Sequence, residues 1–464
     1  MATSEEKRQE DAWRPARLIP TSGIKGVDEQ ETRATSALLS VMRAVPEFSK
    51  ALLKKVGAPA GEVRTYIEVP IKTDLGTTHR PDGAIIVSRG NKSWKAFVEV
   101  KTGVRQLEAN QIETYLDLAR EQGFDALISI SNQMTTALDS YPLVIDKRRT
   151  KNLSLNHWSW VEILSEAVQQ KEFRGIADKD QAWILSELIA YLGHPQSGVM
   201  EFQDMGQHWV SVRDGARAGT LRPSDSSIGE VVIRWDQFMQ FLCLHLGRDL
   251  GLLVKHVLPS NVNAASRKQG LVNQLVDTGR LDGILRVPRA SGDIMMTADL
   301  RSRTVSVSMD VAAPSDRRSS ARVTWLLRQL ETAPVATRIE AVVRAGRSRV
   351  ASLADVREDP RGLLDPDKTK EIRYFSVSLT APLGMKRDGT RGSFISEATE
   401  LVLRFYREVV EKVKPWSAAP AKLPSIRETT DASTQPENVV ETVFREEAAE
   451  NQTSNEPMIH PNAS

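Results

Sequence analysis

Apolar and polar positions alternate with two distinct periods along this chain, and the switches between them outline its elements. In VDEQETRATSALLSVMRAV, Leu38, Leu39, Met42 and Val45 recur at helical spacing and Pro46 ends the pattern. Three strand-period segments follow, VRTYIEVP (63–70), PDGAIIVS (81–88) and WKAFVEVK (94–101), separated by Gly, Asp and Asn-rich breakers. QLEANQIETYLDLAREQG (106–123) then predicts a helix closed by Gly123, and the apolar run ALISIS (126–131) a further strand. The predicted order is α-β-β-β-α-β.

Beyond it, NLSLNH (152–157) has strand character and leads into Ser159 and Glu162, spaced as a capping box at a helix start. DQAWILSELIAYLGHP (180–195) is an amphipathic helix stopped by Gly193 and Pro195. From about 228 a second α/β unit is expected. Its strands are predicted at 282–288, 293–300, 304–312, 338–346 and 372–381, with helices in IRWDQFMQFLCLHLGRDLG, VTWLLRQLE and FISEATELVLRFYREVVEKVKPW. The expected organisation is a flexible arm (1–20), an α/β domain (21–175), a helical connector (176–227), a C-terminal α/β domain (228–416) and a disordered tail (417–464).

Composition narrows the chemistry. The sole cysteine, Cys243, excludes an internal disulfide and a thiolate metal cage, and the seven histidines show no HExxH or paired-ligand spacing. A metal here is therefore a hard ion held by oxygen. No apolar run approaches the roughly 20 residues that cross a bilayer, and the charged N-terminus lacks a secretory h-region, so a cytoplasmic protein without a membrane is expected. The net charge of +2 hides an asymmetry: from Ala421 onward three basic residues face eight acidic ones, which leaves the rest mildly basic and compatible with a nucleic-acid partner. Phosphate-loop spacing is absent, which argues against nucleotide hydrolysis.

The chemistry concentrates in two short stretches. In WKAFVEVKTG the strand period puts Lys95, Phe97, Glu99 and Lys101 on one face. Upstream, the second strand opens with Arg80, Pro81, Asp82 and Gly83, and the sixteen residues between Asp82 and Glu99 are about the length of a strand, a turn and a returning strand. Adjacent strands then bring the two carboxylates together. Such a pair repels unless a proton or cation intervenes, and a divalent metal, with Mg²⁺ fitting best, is its natural companion.

Pro81-Asp82 followed by Glu99-Val100-Lys101, within this element order, resembles the PD-(D/E)xK nuclease superfamily over residues 24–175. Gln111 and Tyr115, an i, i+4 pair on a stripe with Leu107 and Leu118, resemble the Q-x-x-x-Y motif of its RecB-like branch. The resemblance implies a Mg²⁺ (or Mn²⁺) held by Asp82, Glu99 and the carbonyl of Val100, with Lys101 orienting or deprotonating water, and Gln111 and Tyr115 positioning the lysine or a phosphate. Glu31, which extends the stripe Ala34, Thr35, Leu38 and Met42 by one turn, is the choice for the further acidic ligand that many members carry on the first helix. The implied activity is hydrolysis of phosphodiester bonds in DNA, or in RNA, in stress response, repair or defence. A noncatalytic member that binds nucleic acid or scaffolds a protein complex is the alternative, because fold does not settle activity. The layout around ATSALLSVMRAVPEF and REQGFDALISISN also resembles long bacterial proteins, some labelled stress-response proteins. In the C-terminal half, Arg317, Arg318, Arg322, Arg328, Arg344, Arg347, Arg349, Lys386, Arg387 and Arg391 are candidates to grip phosphates, or else an ordinary solvated surface.

Overall fold

Two sheets organise the α/β architecture of the computed structural model, which describes residues 18–19, 25–72, 76, 78–136, 141–259, 263–344, 346–364, 371–389 and 391–417. Apart from Leu18, Ile19 and Ser417, the expected arm and tail lie outside these residues. The first sheet contains β1 (Glu62–Ile67), β4 (Gly83–Arg89), β5 (Lys92–Val100), β6 (Ala126–Ser131) and β7 (Ser154–Ser159), paired in that order. The first three run antiparallel; β6 and β7 continue parallel to β5. Parallel strands are covered on both faces, which is why all six residues of ALISIS are buried, Ser129 and Ser131 included.

One face of this sheet packs on α1 (Val27–Ala44) and α2 (Pro46–Lys55), through Leu38, Met42, Phe48 and Leu52. The other packs on α3 (Ala109–Glu121) through Ile112 and Leu116. Pro46, expected to end the first helix, also begins the second. It occupies the first turn of α2, where its missing N–H would have no intrahelical partner anyway, and Val45 alone is extended between the helices. The predicted strand 63–70 stops at Ile67, and a two-residue ladder joins β2 (Ile71–Lys72) to β3 (Thr78–His79).

Residues 176–227 divide between two cores. Helix α4 (Trp160–Gln169) is capped by the Ser159 hydroxyl, which accepts from the Glu162 amide, and α5 (Lys179–Leu192) buries Leu185, Leu188 and Tyr191 in the first core. The helix α6 (Trp209–Ala218) delivers Trp209 and Val212 to the second. An amphipathic helix must cover its apolar stripe, and these two find different partners.

The second sheet is antiparallel throughout. It comprises β8 (Lys255–His256), β9 (Arg280–Arg286), β10 (Ile294–Asp299), β11 (Thr304–Ala312), β12 (Arg338–Val343), β13 (Arg349–Ser352) and β14 (Ile372–Pro382), in the order β13-β12-β14-β11-β10-β9-β8. The long helix α7 (Ser226–Leu250) and the unexpected α8 (Ala264–Thr278) help bury one face, along with α9 (Ser319–Gln329) and the later helix α11 (Phe394–Phe405), which follows the six-residue α10 (Leu353–Glu358). Helix α8 shows little sequence period, yet the Asn263 side chain caps its start and Gly279 ends it at a φ of 72°. Met134 and Val161 join this second core, so residues up to Ser417 make one unit. Among the described residues no helix is long and apolar enough to cross a membrane.

Gly83, directly after Asp82, is required by close packing. A Cβ there would stand 2.6 Å from Leu39 Cδ1 and 2.9 Å from the Tyr66 carbonyl oxygen. Gly83→Ala is expected to cost about 2 kcal/mol in urea denaturation, because the backbone on one side cannot give way. A second expectation concerns acid. Both ring nitrogens of His256 are buried without a partner, and burial pushes its pKa down to about 4. The unfolded chain takes up that proton near pH 6.5, so stability is lost as pH falls from about 6.5 to 4. His256→Leu should lose less stability over that window than the wild type, measured by denaturation at each pH.

Candidate active site

The ends of β4 and β5 hold the two carboxylates. Gly83 pairs with Val98, so the ladder carries Asp82 opposite Glu99. Val98 and Val100 point into the core under α1, whereas Phe97 points to the α3 side, and the pleat turns Glu99 the same way. Asp82 Oδ2 accepts from the Val100 amide at 2.7 Å, and the Asp82 and Glu99 carboxyl groups lie within hydrogen-bonding reach of each other. The juxtaposition expected from the sixteen-residue spacing is thus present.

Its electrostatics are strained. Glu99 is 1% exposed; Oε1 accepts from Lys101 Nζ at 2.5 Å, and Oε2 is buried with no hydrogen-bond partner. Burial, then the neighbouring Asp82 charge, pushes the Glu99 carboxyl up to about 8. Burial also raises Asp82, against the pull of the Val100 amide and Lys101. For Lys101, burial opposes the charge, but Glu99, Asp82 and Glu31 outweigh it and hold the ammonium above its ordinary value. The same ammonium donates to the Val100 carbonyl at 3.2 Å. It therefore lies across two of the three oxygens expected to bind a metal.

The oxygen set suits a hard cation. Two carboxyl groups in contact need a proton or a cation between them; Glu99, pushed up to about 8, keeps a proton at neutral pH, and a divalent ion would take that proton's place. Mg²⁺ commonly takes one or two carboxylates and retains waters, so two acids and a carbonyl are adequate. Among the described residues no three Asp, Glu, His or Cys side chains converge into a fuller cage.

Glu31 has other partners. It is 8% exposed, with Oε1 accepting from the Thr102 amide at 3.3 Å and Oε2 from Arg105 Nη1 at 3.2 Å. Burial raises its carboxyl, while Lys101, Thr102 and Arg105 oppose the rise. Glu31 thus braces the loop that follows Lys101. Tyr115 is buried and its hydroxyl donates to the Arg80 carbonyl at 3.4 Å, with Gln111 beside it; burial and the Glu99 charge raise the phenol. Tyr115 thus reaches the turn carrying Asp82, and Gln111 reaches Tyr115.

Several contributors carry no sequence signal. Trp160 Nε1 donates to the Lys101 carbonyl at 2.9 Å, and Asn132 Nδ2 ties the Gly103 and Gly198 carbonyls together at 3.0 and 2.7 Å. Glu68, at the end of β1, has a φ of 47° and donates its amide to the Asp82 carbonyl at 2.9 Å. Across the sheet, Ser129 is level with Glu99 and His157 level with Ser129. The Tyr141 hydroxyl donates to Ser129 Oγ at 2.9 Å, Ser129 lies 2.9 Å from His157 Nδ1, and His157 Nε2 lies 2.9 Å from the Gln133 carbonyl. That carbonyl can only accept, which puts the ring proton on Nε2 and leaves Nδ1 to accept from Ser129. Burial pushes His157 down to about 4, so the chain stays neutral; Ser129 is fully buried and cannot meet a substrate.

Three of the ten candidate phosphate-gripping residues of the second half are engaged elsewhere. Arg322 is 4% exposed and donates to the carbonyls of Ser315, Arg317 and Ile372, so it is structural. Arg317 lies over the Trp416 ring, 4.5 Å from its centroid, and Arg387 pairs with Asp204 and Asp388. Arg318, Arg328, Arg344, Arg347, Arg349, Lys386 and Arg391 are exposed.

No family model matches this chain, and no curated protein matches it in sequence.

Replacing the carboxyl that folding forces to keep its proton should relieve the site. Glu99 is pushed up to about 8, whereas the unfolded chain releases that proton near 4.5, so the wild type loses stability as pH rises from about 4.5 to 8, and Glu99→Gln is expected to be more stable by about 1 kcal/mol at pH 7. Thermal denaturation at pH 4.5 and pH 7 checks this; a Glu99→Gln protein less stable than the wild type at pH 7 would show that the carboxyl is not strained.

Proposed function

We propose that the chain is a Mg²⁺- or Mn²⁺-dependent nuclease of the PD-(D/E)xK type that hydrolyses phosphodiester bonds of DNA, with RNA as the other candidate polymer. The observation that carries this reading is the buried, unpartnered Glu99 Oε2 held against Asp82 beside the Lys101 ammonium. A structural ion pair does not need a second carboxylate, and repulsion between two of them costs stability unless a ligand repays it.

In this reading Asp82, Glu99 and the Val100 carbonyl would hold the metal, which when bound supplies a Lewis acid for the phosphoryl group and an acidified water. Lys101 contributes a positive charge and ammonium protons at the same place. It orients the attacking water and offsets the negative charge that grows on the phosphoryl oxygens. Tyr115, with Gln111 bonded to it, steadies Asp82 by holding the Arg80 turn, and Trp160 and Glu31 fix the backbone on the far side of Lys101. Preorganisation by these neighbours matters because a carboxylate displaced by about 1 Å loses much of its effect.

One observation favours the noncatalytic alternative: Lys101 is already neutralised by Glu99 and bonded to the Val100 carbonyl, an arrangement that closes the site without any ligand. One experiment separates the readings. Single- and double-stranded DNA and RNA are incubated with the purified protein and Mg²⁺ or Mn²⁺, beside a Lys101→Ala control. Cleavage that needs the metal and drops at least a hundredfold in the variant is the expected result. Binding without cleavage supports the alternative, and cleavage unchanged by the substitution marks a contaminant.

A further inference from the structure

Beside the edge of the first sheet lies a groove of about 540 Å³, a volume that suits a bound ligand. Its apolar lining comes from Met42 of α1, Leu53 of α2 and Val63 of β1. Arg43, Lys50 and Lys54 line it as well, all of them exposed, against a single acid, Glu62. None of these three cations is ion-paired among the described residues, although the adjacent Lys55 finds two carboxylates, Glu162 at 3.0 Å and Glu166 at 2.9 Å.

Two elements tie this groove to the candidate active site. Helix α1 gives Met42 and Arg43 to the groove, and Thr32 and Thr35 to a cavity of about 70 Å³ at Asp82. Strand β1 gives Glu62 and Val63 to the groove and its last residue, Ile67, to the same cavity. The helix from Thr35 to Arg43, or the strand from Val63 to Ile67, spans about 12 to 13 Å. That is about four nucleotides at the roughly 3.4 Å spacing of a stacked strand. The outer edge of β1 pairs with no strand among the described residues, so the sheet leaves this interval open.

An occupant with apolar faces and a row of negative charges satisfies both parts of the lining. A nucleic-acid single strand has that composition, because its unpaired bases expose their faces beside the phosphates. A duplex hides those faces in its stack, and a body whose major groove alone is about 12 Å wide cannot enter.

We propose that this groove binds single-stranded nucleic acid, with Arg43, Lys50 and Lys54 holding phosphates and the strand continuing along the edge of β1 to Asp82. This rests on the nucleic-acid reading of the preceding subsection and names its substrate as a single strand, gripped about four nucleotides from the bond to be cut.

The test separates binding from cutting. A fluorescein-labelled oligo(dT) of about 12 nucleotides, and its duplex with oligo(dA), are titrated with the full-length protein in EDTA, with affinity read by anisotropy. Cleavage of the same oligonucleotides is read separately in Mn²⁺. The wild type is expected to hold the single strand at least about tenfold tighter than the duplex. Lys50→Glu combined with Lys54→Glu should weaken that binding at least about tenfold and lower its salt slope by about two. Its melting temperature should not change, because both side chains are exposed. Lys50→Arg with Lys54→Arg should retain the binding. If the charge reversal leaves single-strand binding intact while the wild type cuts in Mn²⁺, the role of the groove is overturned and the nuclease reading stands. If binding needs the two lysines but neither oligonucleotide is cut, the groove stands and catalysis falls. A duplex held as tightly as the single strand, no binding of either by the wild type, or calorimetric binding of dodecanoate where oligo(dT) does not bind, overturns the proposal.

Discussion

The contact between two carboxyl groups at the ends of β4 and β5 is the constraint around which the first half of the molecule is arranged. Were both ionised, Asp82 and Glu99 would repel strongly out of water, and that repulsion, added to burial, is why Glu99 is pushed up to about 8. They do not separate because the backbone gives them no freedom. Asp82 is clamped by the Val100 amide, its own carbonyl is taken by Glu68, and Glu99 stands on a strand paired on both sides. The ladder spends part of its stability on holding an unfavourable pair, as functional sites commonly do.

That rigidity is assembled from distant parts of the chain. The Lys101 carbonyl is held by Trp160 and its amide by the Ile130 carbonyl; Gly103 donates to Gly198, and Gln30 reaches the Gln196 carbonyl. The segment after α5 thus belongs to the site's support, although it is nearly a hundred residues from Lys101 in sequence. Its apolar helix and its polar loop act together: burial of Leu188 and Tyr191 brings the loop to where its carbonyls are useful.

The second half offers an internal contrast. Arg280-Leu281-Asp282-Gly283 closely parallels Arg80-Pro81-Asp82-Gly83, and both glycines lie under a helix: Gly83 under Leu39, Gly283 under Met239. Yet Asp282 pairs across the ladder with Thr297, whose hydroxyl donates to it at 2.6 Å, and Gln274 donates at 2.6 Å as well. One carboxylate has its donors and is at rest; the other faces a second acid. The same four-residue pattern therefore yields a structural anchor in one sheet and a strained pair in the other, and the residue across the ladder makes the difference.

Most elements were legible in the sequence because burial on one face imposes a period. Strand β11 was readable residue for residue, and the faces of Glu99 and Lys101 followed from the pleat alone. The sequence also determined that Asp82, Glu99 and Lys101 converge, since the short loop between β4 and β5 leaves the two strands little choice but to pair. Helix α2 beyond Pro46 and helix α8 were not legible, because a first-turn proline resembles a stop and the four large apolar residues of α8, Leu271, Val272, Leu275 and Val276, are confined to its second half. Only the tertiary structure decided how each oxygen is satisfied. The bonds of Glu31 to Arg105 and Thr102, the buried Ser129–His157 chain and the left-handed turn at Glu68 all depend on partners brought from other elements, and local periodicity carries no information about them.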